Sequence, residues 1–184
     1  MSSQIPLSTV TAKFIYDGIR IQEAQYDVQK LVAQLNVHFS EALQAEIAGQ
    51  RVKIQQRIAK WRITQKLLIP ACEARLGEQM ACSAEHQVLG IPSEFEKEDR
   101  DVLNLGYFTP QELELRGWMA SDARARARRE AQTLIYLRRE KTAHATGVSQ
   151  NAKMGKQIDD MAARRDRSIA RYWAARAALA ELGA

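Results

Sequence analysis

Apolar residues recur along most of the chain at steps of three, four and seven positions. This spacing places them on one face of an α-helix, which has 3.6 residues per turn. The first stretch predicts a helix over residues 9–48, started by Ser8 or Thr9 and ended or kinked at Gly49. Its apolar stripe comprises Phe14, Ile21, Ala24, Val28, Leu31, Leu35, Phe39, Ala42 and Ile47.

A second helix is predicted from Gln50 or Arg51 onward. Pro70 interrupts its pattern, and we expect a kink or break near Ile69 because proline lacks the amide hydrogen that the helix needs. The helical pattern then resumes to about Gln87, and Gly90-Ile91-Pro92 closes this half of the chain. The predicted inner face of this helix comprises Ile54, Ile58, Trp61, Gln65, Leu68 and Cys72.

Two capping boxes are predicted in the second half of the chain. The first, Ser93 with Glu96, would begin a short helix that ends near Asn104, with Gly106 in the left-handed position beyond it. The second, Thr109-Pro110-Gln111-Glu112, would begin a helix that runs to about Ala143. A last helix is predicted from about Ser149 to Leu182.

These patterns predict an all-α fold, a bundle of about four long helices and one short helix, mostly antiparallel. Residues 1–184 are expected to form a single helical domain, with 1–90 and 91–184, joined at Gly90–Pro92, as candidate halves. All three tryptophans, Trp61, Trp118 and Trp173, are expected in the core. The predicted core residues are Phe14, Ile21, Val28, Leu31, Leu35, Ile58, Trp61, Leu68, Leu134, Ile158, Ile169, Tyr172 and Leu179.

Composition agrees with a folded helical chain, since only 9 Gly and 4 Pro occur among 184 residues. No segment resembles a signal peptide or a run of 18 apolar residues, so we expect an intracellular protein, cytoplasmic or nuclear, without a membrane role. In that compartment Cys72 and Cys82 are expected to be reduced and buried.

Charge is arranged in blocks along the chain. The net charge is −2 over residues 1–50, +6 over 51–75, −7 over 76–115 and +8 over 116–184, which gives +5 in total. Two basic regions thus flank an acidic stretch, and two interpretations stay open. The acidic stretch pairs internally with the basic helices, or the basic faces are free to bind phosphate. The acidic stretch contains Glu94, Glu96, Glu98, Asp99 and Asp101.

Two sets of basic residues lie on common helix faces and are the candidate phosphate-binding residues. The first set is Lys53, Arg57 and Lys60, and the second is Arg124 and Arg128. The chain has none of the phosphate-loop, dinucleotide, nucleophile-elbow or zinc-protease motifs. We therefore expect no catalytic residue, no cofactor and no metal site. The absence of such motifs favours a protein that is not an enzyme, and an enzyme or small-molecule binder with a pocket between helices stays open as the alternative.

A series of short motifs in the second half resembles a known family. In order they are Ile91-Pro92-Ser93, Glu112-Leu113-Glu114-Leu115-Arg116, Ala120-Ser121-Asp122-Ala123, Leu137-Arg138, Gly147-Val148-Ser149-Gln150-Asn151 and Tyr172-Trp173-Ala174-Ala175-Arg176-Ala177-Ala178-Leu179. Their order and spacing resemble the helical region that follows the catalytic core in the KDZ (Kyakuja–Dileera–Zisupton) transposase-like proteins of mushroom-forming fungi. The family's Asn-Thr-Arg element is absent, because Ala152-Lys153 follows Asn151.

The resemblance covers residues 91–184 and implies a transposase-derived helical region without the catalytic core. Full-length members resemble ribonuclease-H-type enzymes whose carboxylates lie on a β-sheet, and no strand is predicted here to carry them. The leading hypothesis is therefore a non-catalytic interaction module that binds nucleic acid through basic helix faces. The alternatives are a helical scaffold that assembles with itself or with a protein partner, and a helical bundle that binds a small molecule.

Overall fold

The computed structural model describes residues 7–77, 82–144 and 147–183. Within these ranges it contains helices and no strand, which confirms the predicted all-α fold and its four long helices. Three short 3₁₀ helices cover Ala84–His86, Pro92–Glu94 and Leu105–Tyr107. The α-helices are α1 (Leu7–Val37), α2 (Glu41–Leu68), α3 (Cys72–Leu76), α4 (Lys97–Val102), α5 (Thr109–His144) and α6 (Val148–Glu181).

The chain divides into two compact units. Unit 1 comprises residues 1–113 together with 181–184, and unit 2 comprises residues 114–180. The segment Gly90–Pro92 lies within unit 1, and the division falls inside α5. Unit 2 consists of the remainder of α5 and nearly all of α6.

The helices α1 and α2 form an antiparallel hairpin, whereas the sequence pattern predicted one helix over 9–48. The break occurs where Ser40 adopts an extended conformation and its Oγ accepts a hydrogen bond from Leu43 N at 3.4 Å. Phe39 belongs to the predicted apolar stripe, but it is 73% exposed at the tip of the hairpin. Gly49 lies inside α2, because a glycine weakens a helix by about 1 kcal/mol without ending it.

The hairpin is held together by an aromatic cluster near the open end. The rings of Phe14 and Trp61 stack with their centroids 4.5 Å apart, and Phe108 meets Phe14 edge-on at 6.0 Å. Trp61 Nε1 also donates a hydrogen bond to the carbonyl of Phe14 at 2.9 Å. Gly18 lets this cluster close, because a Cβ there would lie 3.0 Å from Ile91 Cγ2 and 3.2 Å from Trp61.

The break at Pro70 is confirmed, since α2 ends at Leu68 with Ile69 as its last capping residue. After this break the sequence pattern predicts a helix that resumes to Gln87, and this prediction is wrong beyond the short α3. Residues 78–81 lie outside the described ranges. Ala84–His86 is a 3₁₀ turn, and the chain is extended at Gln87. The backbone carbonyls of this stretch bond to side chains of α1 and α2, so they do not need a helix of their own.

Both predicted capping boxes differ from the observed contacts. In the first, Glu94 replaces Glu96 as the carboxylate that accepts backbone hydrogen bonds, from Gly90 N at 2.5 Å and from Ile91 N at 3.3 Å. Ser93 donates instead to Glu112, from its hydroxyl at 2.6 Å, while its amide donates to the same carboxylate at 2.9 Å. Glu112, the carboxylate of the second predicted box, thus accepts two hydrogen bonds from Ser93.

The predicted start of α5 at Thr109 is confirmed, although the Thr109 hydroxyl donates back to the carbonyl of Leu105 at 3.0 Å rather than capping the helix. The residue in the left-handed conformation is Asn104, with φ of 54°, directly before the 3₁₀ helix Leu105–Tyr107. The sequence pattern predicts Gly106 in this position. Asparagine tolerates this conformation because its short polar side chain carries little steric penalty there.

The predicted core is confirmed for Phe14, Ile21, Val28, Ile58, Trp61, Leu134 and Leu179. Five further members are half-buried: Leu31, Leu35, Leu68, Ile158 and Tyr172. The prediction is wrong for Ile169, which is 39% exposed, and for Trp118 and Trp173, which are 72% and 64% exposed. Helical periodicity identifies a face that is richer in apolar residues, and α5 and α6 carry more apolar positions than that face covers.

Trp61 and Trp118 give a matched test of this core. We expect Trp61→Phe to lower the free energy of unfolding by about 1–3 kcal/mol, because it removes a buried hydrogen bond and part of a filled volume. Trp118→Phe should change it by less than about 0.5 kcal/mol, as exposed substitutions do. Urea denaturation of both variants measures the difference, and equal losses would contradict the assigned core.

Glu94 provides a second test, through pH. Burial raises the pKa of the Glu94 carboxyl, and the charge of Glu112 acts in the same direction, while hydrogen bonds from Gly90, Gln22 and Ile91 oppose the shift. Because the folded state holds this proton more tightly than the unfolded state, stability falls as pH rises from the usual glutamate range through the raised pKa. The stability of Glu94→Gln relative to the natural chain should therefore increase over that interval.

Urea titrations at a series of pH values measure this change, with Glu96→Gln, at an exposed carboxylate two residues along, as the matched control. A stability difference between Glu94→Gln and the natural chain that stays constant with pH would show that the Glu94 proton is not coupled to folding.

Candidate nucleic-acid interface

The two structural units differ sharply in charge. Unit 1 carries 12 basic and 15 acidic residues, a net charge of −3, whereas unit 2 carries 15 basic and 7 acidic residues, a net charge of +8. The overall +5 therefore conceals one mildly acidic unit and one strongly basic unit. A concentration of positive charge of this size attracts polyanions and is the electrostatic precondition for phosphate binding.

Four of the seven basic residues in the 51–75 block are engaged inside unit 1. Arg51 forms an ion pair with Glu85, with its Nε 3.0 Å from both carboxylate oxygens, and this guanidinium holds the pKa of Glu85 below its usual range. Lys66 and Arg75 pair with acidic residues of the same unit. These contacts support the internal-pairing interpretation for part of the basic block.

Arg62, the fourth of these residues, bonds to backbone rather than to a carboxylate. Its guanidinium donates to the carbonyls of Val88 and Leu89 at 2.5 Å each and lies 5.5 Å from the centre of the Trp61 ring. Burial lowers the pKa of Arg62. The contacts of Arg62 and Arg51 fix which side of α2 faces the segment of residues 84–90.

The three remaining cations, Lys53, Arg57 and Lys60, point outward. They are exposed, they recur at steps of four and three, and none takes part in the ion pairs found in the described part of unit 1. Ile54 and Ile58, each one residue after a member of this set, are buried. The sequence-predicted set is therefore a continuous exposed cationic stripe on α2.

The second predicted pair, Arg124 and Arg128, lies on α5 in unit 2. Both residues are exposed and stand one helical turn apart. Their neighbour Arg126 pairs with Asp122 at 2.8 Å, so this carboxylate is already engaged by another arginine. The structure thus places the five predicted phosphate-binding residues as two exposed basic sites, one in each unit.

Sequence reasoning missed two aromatic residues beside the second site. Trp118 and Tyr136 of α5 are 72% and 60% exposed, and Ile135 is also exposed. The prediction that places Trp118 in the core rests on its position close to the apolar stripe. The sequence signal against burial is the spacing of 18 residues between Trp118 and Tyr136, which is five full helical turns. This spacing puts both rings on the arginine-rich side of α5.

Other candidate chemistry does not assemble in the residues that the structure describes. No three His, Cys, Asp or Glu side chains within these residues come together as metal ligands. Cys72 is buried, and burial raises the pKa of its thiol to about 11, which leaves it a poor nucleophile. Cys82 is exposed, so the expectation that both cysteines are buried is wrong for this residue.

A small cavity of about 130 Å³ opens beside Arg62, Gln65, Lys66, Ile69 and Glu73. Ligand pockets usually enclose about 300–1,000 Å³, so this one is small for a cofactor or a drug-sized molecule. In the described residues no helix is both long and apolar enough to cross a membrane. No protein-family model, curated protein or solved structure matches the chain.

Arg62 and Arg57 test the division of α2 into an inward and an outward side. We expect Arg62→Gln to cost about 1–3 kcal/mol of stability, because it leaves buried carbonyls without their charged donor. Arg57→Gln, the same substitution at an exposed site of the same helix, should cost less than about 0.5 kcal/mol. Thermal and urea unfolding measure both, and a larger cost for Arg57→Gln would contradict the assignment.

Proposed function

We propose that this protein is a non-catalytic helical module that binds nucleic-acid phosphates through two exposed basic sites. One site is the α2 stripe of Lys53, Arg57 and Lys60, and the other is Arg124 with Arg128 on α5. The observation that carries the proposal is the sorting of the 51–75 block. Its other four cations are used inside unit 1, while these three stay exposed on one helix side.

The dimensions of the α2 stripe suit a phosphate backbone. Seven residues separate Lys53 from Lys60, which corresponds to about 10 Å along the helix at a rise of about 1.5 Å per residue. Phosphates of one strand follow one another every ~3.4 Å along a duplex axis, so the stripe spans about three of them. Long, flexible lysine and arginine side chains tolerate the remaining mismatch in spacing.

The motif series over residues 91–184 supports a transposase-like origin for the module. In this proposal the chain retains a helical region resembling that of the KDZ proteins and lacks their catalytic core. Unit 2, with its net charge of +8, carries most of the residues in that series. In this proposal the basic helical region binds nucleic acid and carries out no catalysis.

A second candidate function is self-assembly or scaffolding, favoured by exposed apolar residues on α2. Val52, Ile63 and Leu67 are all more than half exposed. Exposed apolar residues on one helix can mark a contact with another protein or with a second copy. Light scattering separates the candidates, because a monomer of 20.8 kDa at micromolar concentration would remove the homo-oligomer.

Salt dependence tests the proposed binding. Using fluorescence anisotropy with a labelled DNA duplex, we expect the affinity to fall as salt rises, with a log–log slope of about −0.9 per neutralised phosphate. The triple variant Lys53→Gln, Arg57→Gln, Lys60→Gln should bind more weakly and with a shallower slope. The double variant Arg124→Gln, Arg128→Gln should show the same two changes on a smaller scale.

A control with the same change in net charge is Lys13→Gln, Arg20→Gln, Lys97→Gln, at three exposed residues of the same unit, of which Lys13 and Arg20 pair with carboxylates on their own helix. Its slope should stay within the error of the natural chain. Absence of binding at low salt would overturn the proposed function. Equal weakening by the control would show that the net charge, and not the stripe, governs the interaction.

A further inference from the structure

Three residues of α5 form what we call the aromatic–arginine stripe: Trp118, Arg129 and Tyr136. Eighteen residues separate the two aromatic residues, which is five full turns of helix, and Arg129 lies about three turns after Trp118 and two turns before Tyr136. The three side chains therefore leave the helix on one side. At a rise of about 1.5 Å per residue the stripe is about 27 Å long.

Both rings of the stripe are open to solvent. Trp118 is 72% exposed and Tyr136 is 60% exposed, and neither stacks against another ring among the described aromatic contacts. Exposing rings of this size to water is unfavourable, since a tryptophan or tyrosine can bury about 150–250 Å². Their positions are thus not explained by the packing of the helix that carries them.

Charge around the stripe selects the kind of occupant. Between Trp118 and Tyr136 the helix carries four arginines and two acidic residues, of which Asp122 is paired with Arg126 and Glu130 is half-buried. A second copy of the chain would bring another unit of net charge +8 against this one. An anionic partner avoids that repulsion and is complementary to the arginines.

Among polyanions, one with unpaired bases fits the rings. In a duplex the bases are already stacked on one another, and their faces cannot reach a side chain on a helix surface. In a single strand the base faces are free, and stacking on Trp or Tyr adds affinity that tolerates any sequence. Arg129 between the rings can meet the backbone that links successive bases, or stack on a base itself.

We infer that the aromatic–arginine stripe of α5 binds single-stranded nucleic acid, with bases stacked on Trp118 and Tyr136 and the backbone held by Arg129. This inference rests on the proposed function, because it refines which nucleic acid the basic sites bind. It assigns the sequence-independent phosphate contacts to the basic sites and the preference for single strands to the stripe. DNA and RNA strands share this chemistry, and the experiment tests both.

The test compares labelled oligothymidine and oligouridine of about 12 nucleotides with a duplex of the same length, a size typical of single-strand sites. The full chain should bind the single strands more tightly than the duplex. Trp118→Ala and Tyr136→Ala should each weaken single-strand binding about tenfold and leave duplex binding within about twofold, in line with the usual cost of losing one stacked base. A stronger effect on one of the two strands identifies the preferred nucleic acid.

Trp173→Ala is the matched control, because Trp173 is another exposed tryptophan of the same unit and packs edge-on against Tyr172 on α6. Its single-strand affinity should stay within about twofold of the natural chain. Stacking on Trp118 should also quench tryptophan fluorescence on titration with oligothymidine, and Trp118→Phe should lose most of that quenching. Circular dichroism of each variant verifies that the helices remain intact.

The outcomes separate this inference from the proposed function. If Trp118→Ala and Tyr136→Ala leave single-strand binding unchanged while the arginine and lysine variants still weaken it, the stripe inference is overturned and the phosphate proposal stands. Equal losses in Trp118→Ala and Trp173→Ala overturn it as well. If the natural chain binds neither strand form at low salt, both fail. If Trp118→Ala instead turns an oligomer into a monomer with unchanged DNA affinity, the stripe is a self-association surface.

Discussion

Unit 1 depends on a set of side-chain hydrogen bonds that replace secondary structure. The carbonyls of Ala84, Gln87, Val88 and Leu89 lie in a stretch that has only one short 3₁₀ turn. Gln25 of α1 donates to the first two at 2.8 Å, while Arg62 and Gln65 of α2 donate to the others. Backbone carbonyls without partners in a protein interior cost about 1–3 kcal/mol each, so these three side chains allow an irregular segment to cover the hairpin.

The same contacts set the orientation of α2. With Arg62 and Gln65 committed to residues 84–90 and Trp61 stacked on Phe14, the helix cannot rotate about its axis. Lys53, Arg57 and Lys60 are then left on the solvent side. The cationic stripe is thus a consequence of how unit 1 satisfies its buried polar groups, and no local feature of the stripe itself is needed to expose it.

The sequence predicted those parts of the fold that depend on local covalent chemistry. Pro70 ends α2 because proline lacks an amide hydrogen, and the start of α5 at Thr109 follows from the Thr-Pro pair. The predictions failed where a distant side chain competes for the same group. Ser93 has its hydroxyl and amide bound to Glu112, 19 residues away, so the first capping box does not form as predicted. Residues 84–87 avoid the predicted helix for the same reason.

For the candidate sites, periodicity identified which cations share a helix side, and it could not tell which cations have partners. Arg51 and Arg57 look equivalent in the sequence, yet Arg51 is paired with the buried Glu85, 34 residues along the chain. Only the folded chain separates them, because the pairing depends on a loop whose path is set by Gln25 and Gln65. The same limitation explains Trp118, whose place beside an apolar stripe predicted burial that the fold does not provide.

The composition of α5 explains why the outer side of this helix can stay exposed. The stretch between Asp122 and Ala131 is built from alanine, arginine and glutamate, which are among the strongest helix formers, so its helical state does not require burial of every side. The inner side already contains Ala120, Ala123 and Leu134. Placing Trp118 and Tyr136 outside adds apolar surface that neither helix propensity nor packing demands. The exposure of these two rings beside the arginines of α5 is the observation on which the proposed binding of single strands rests.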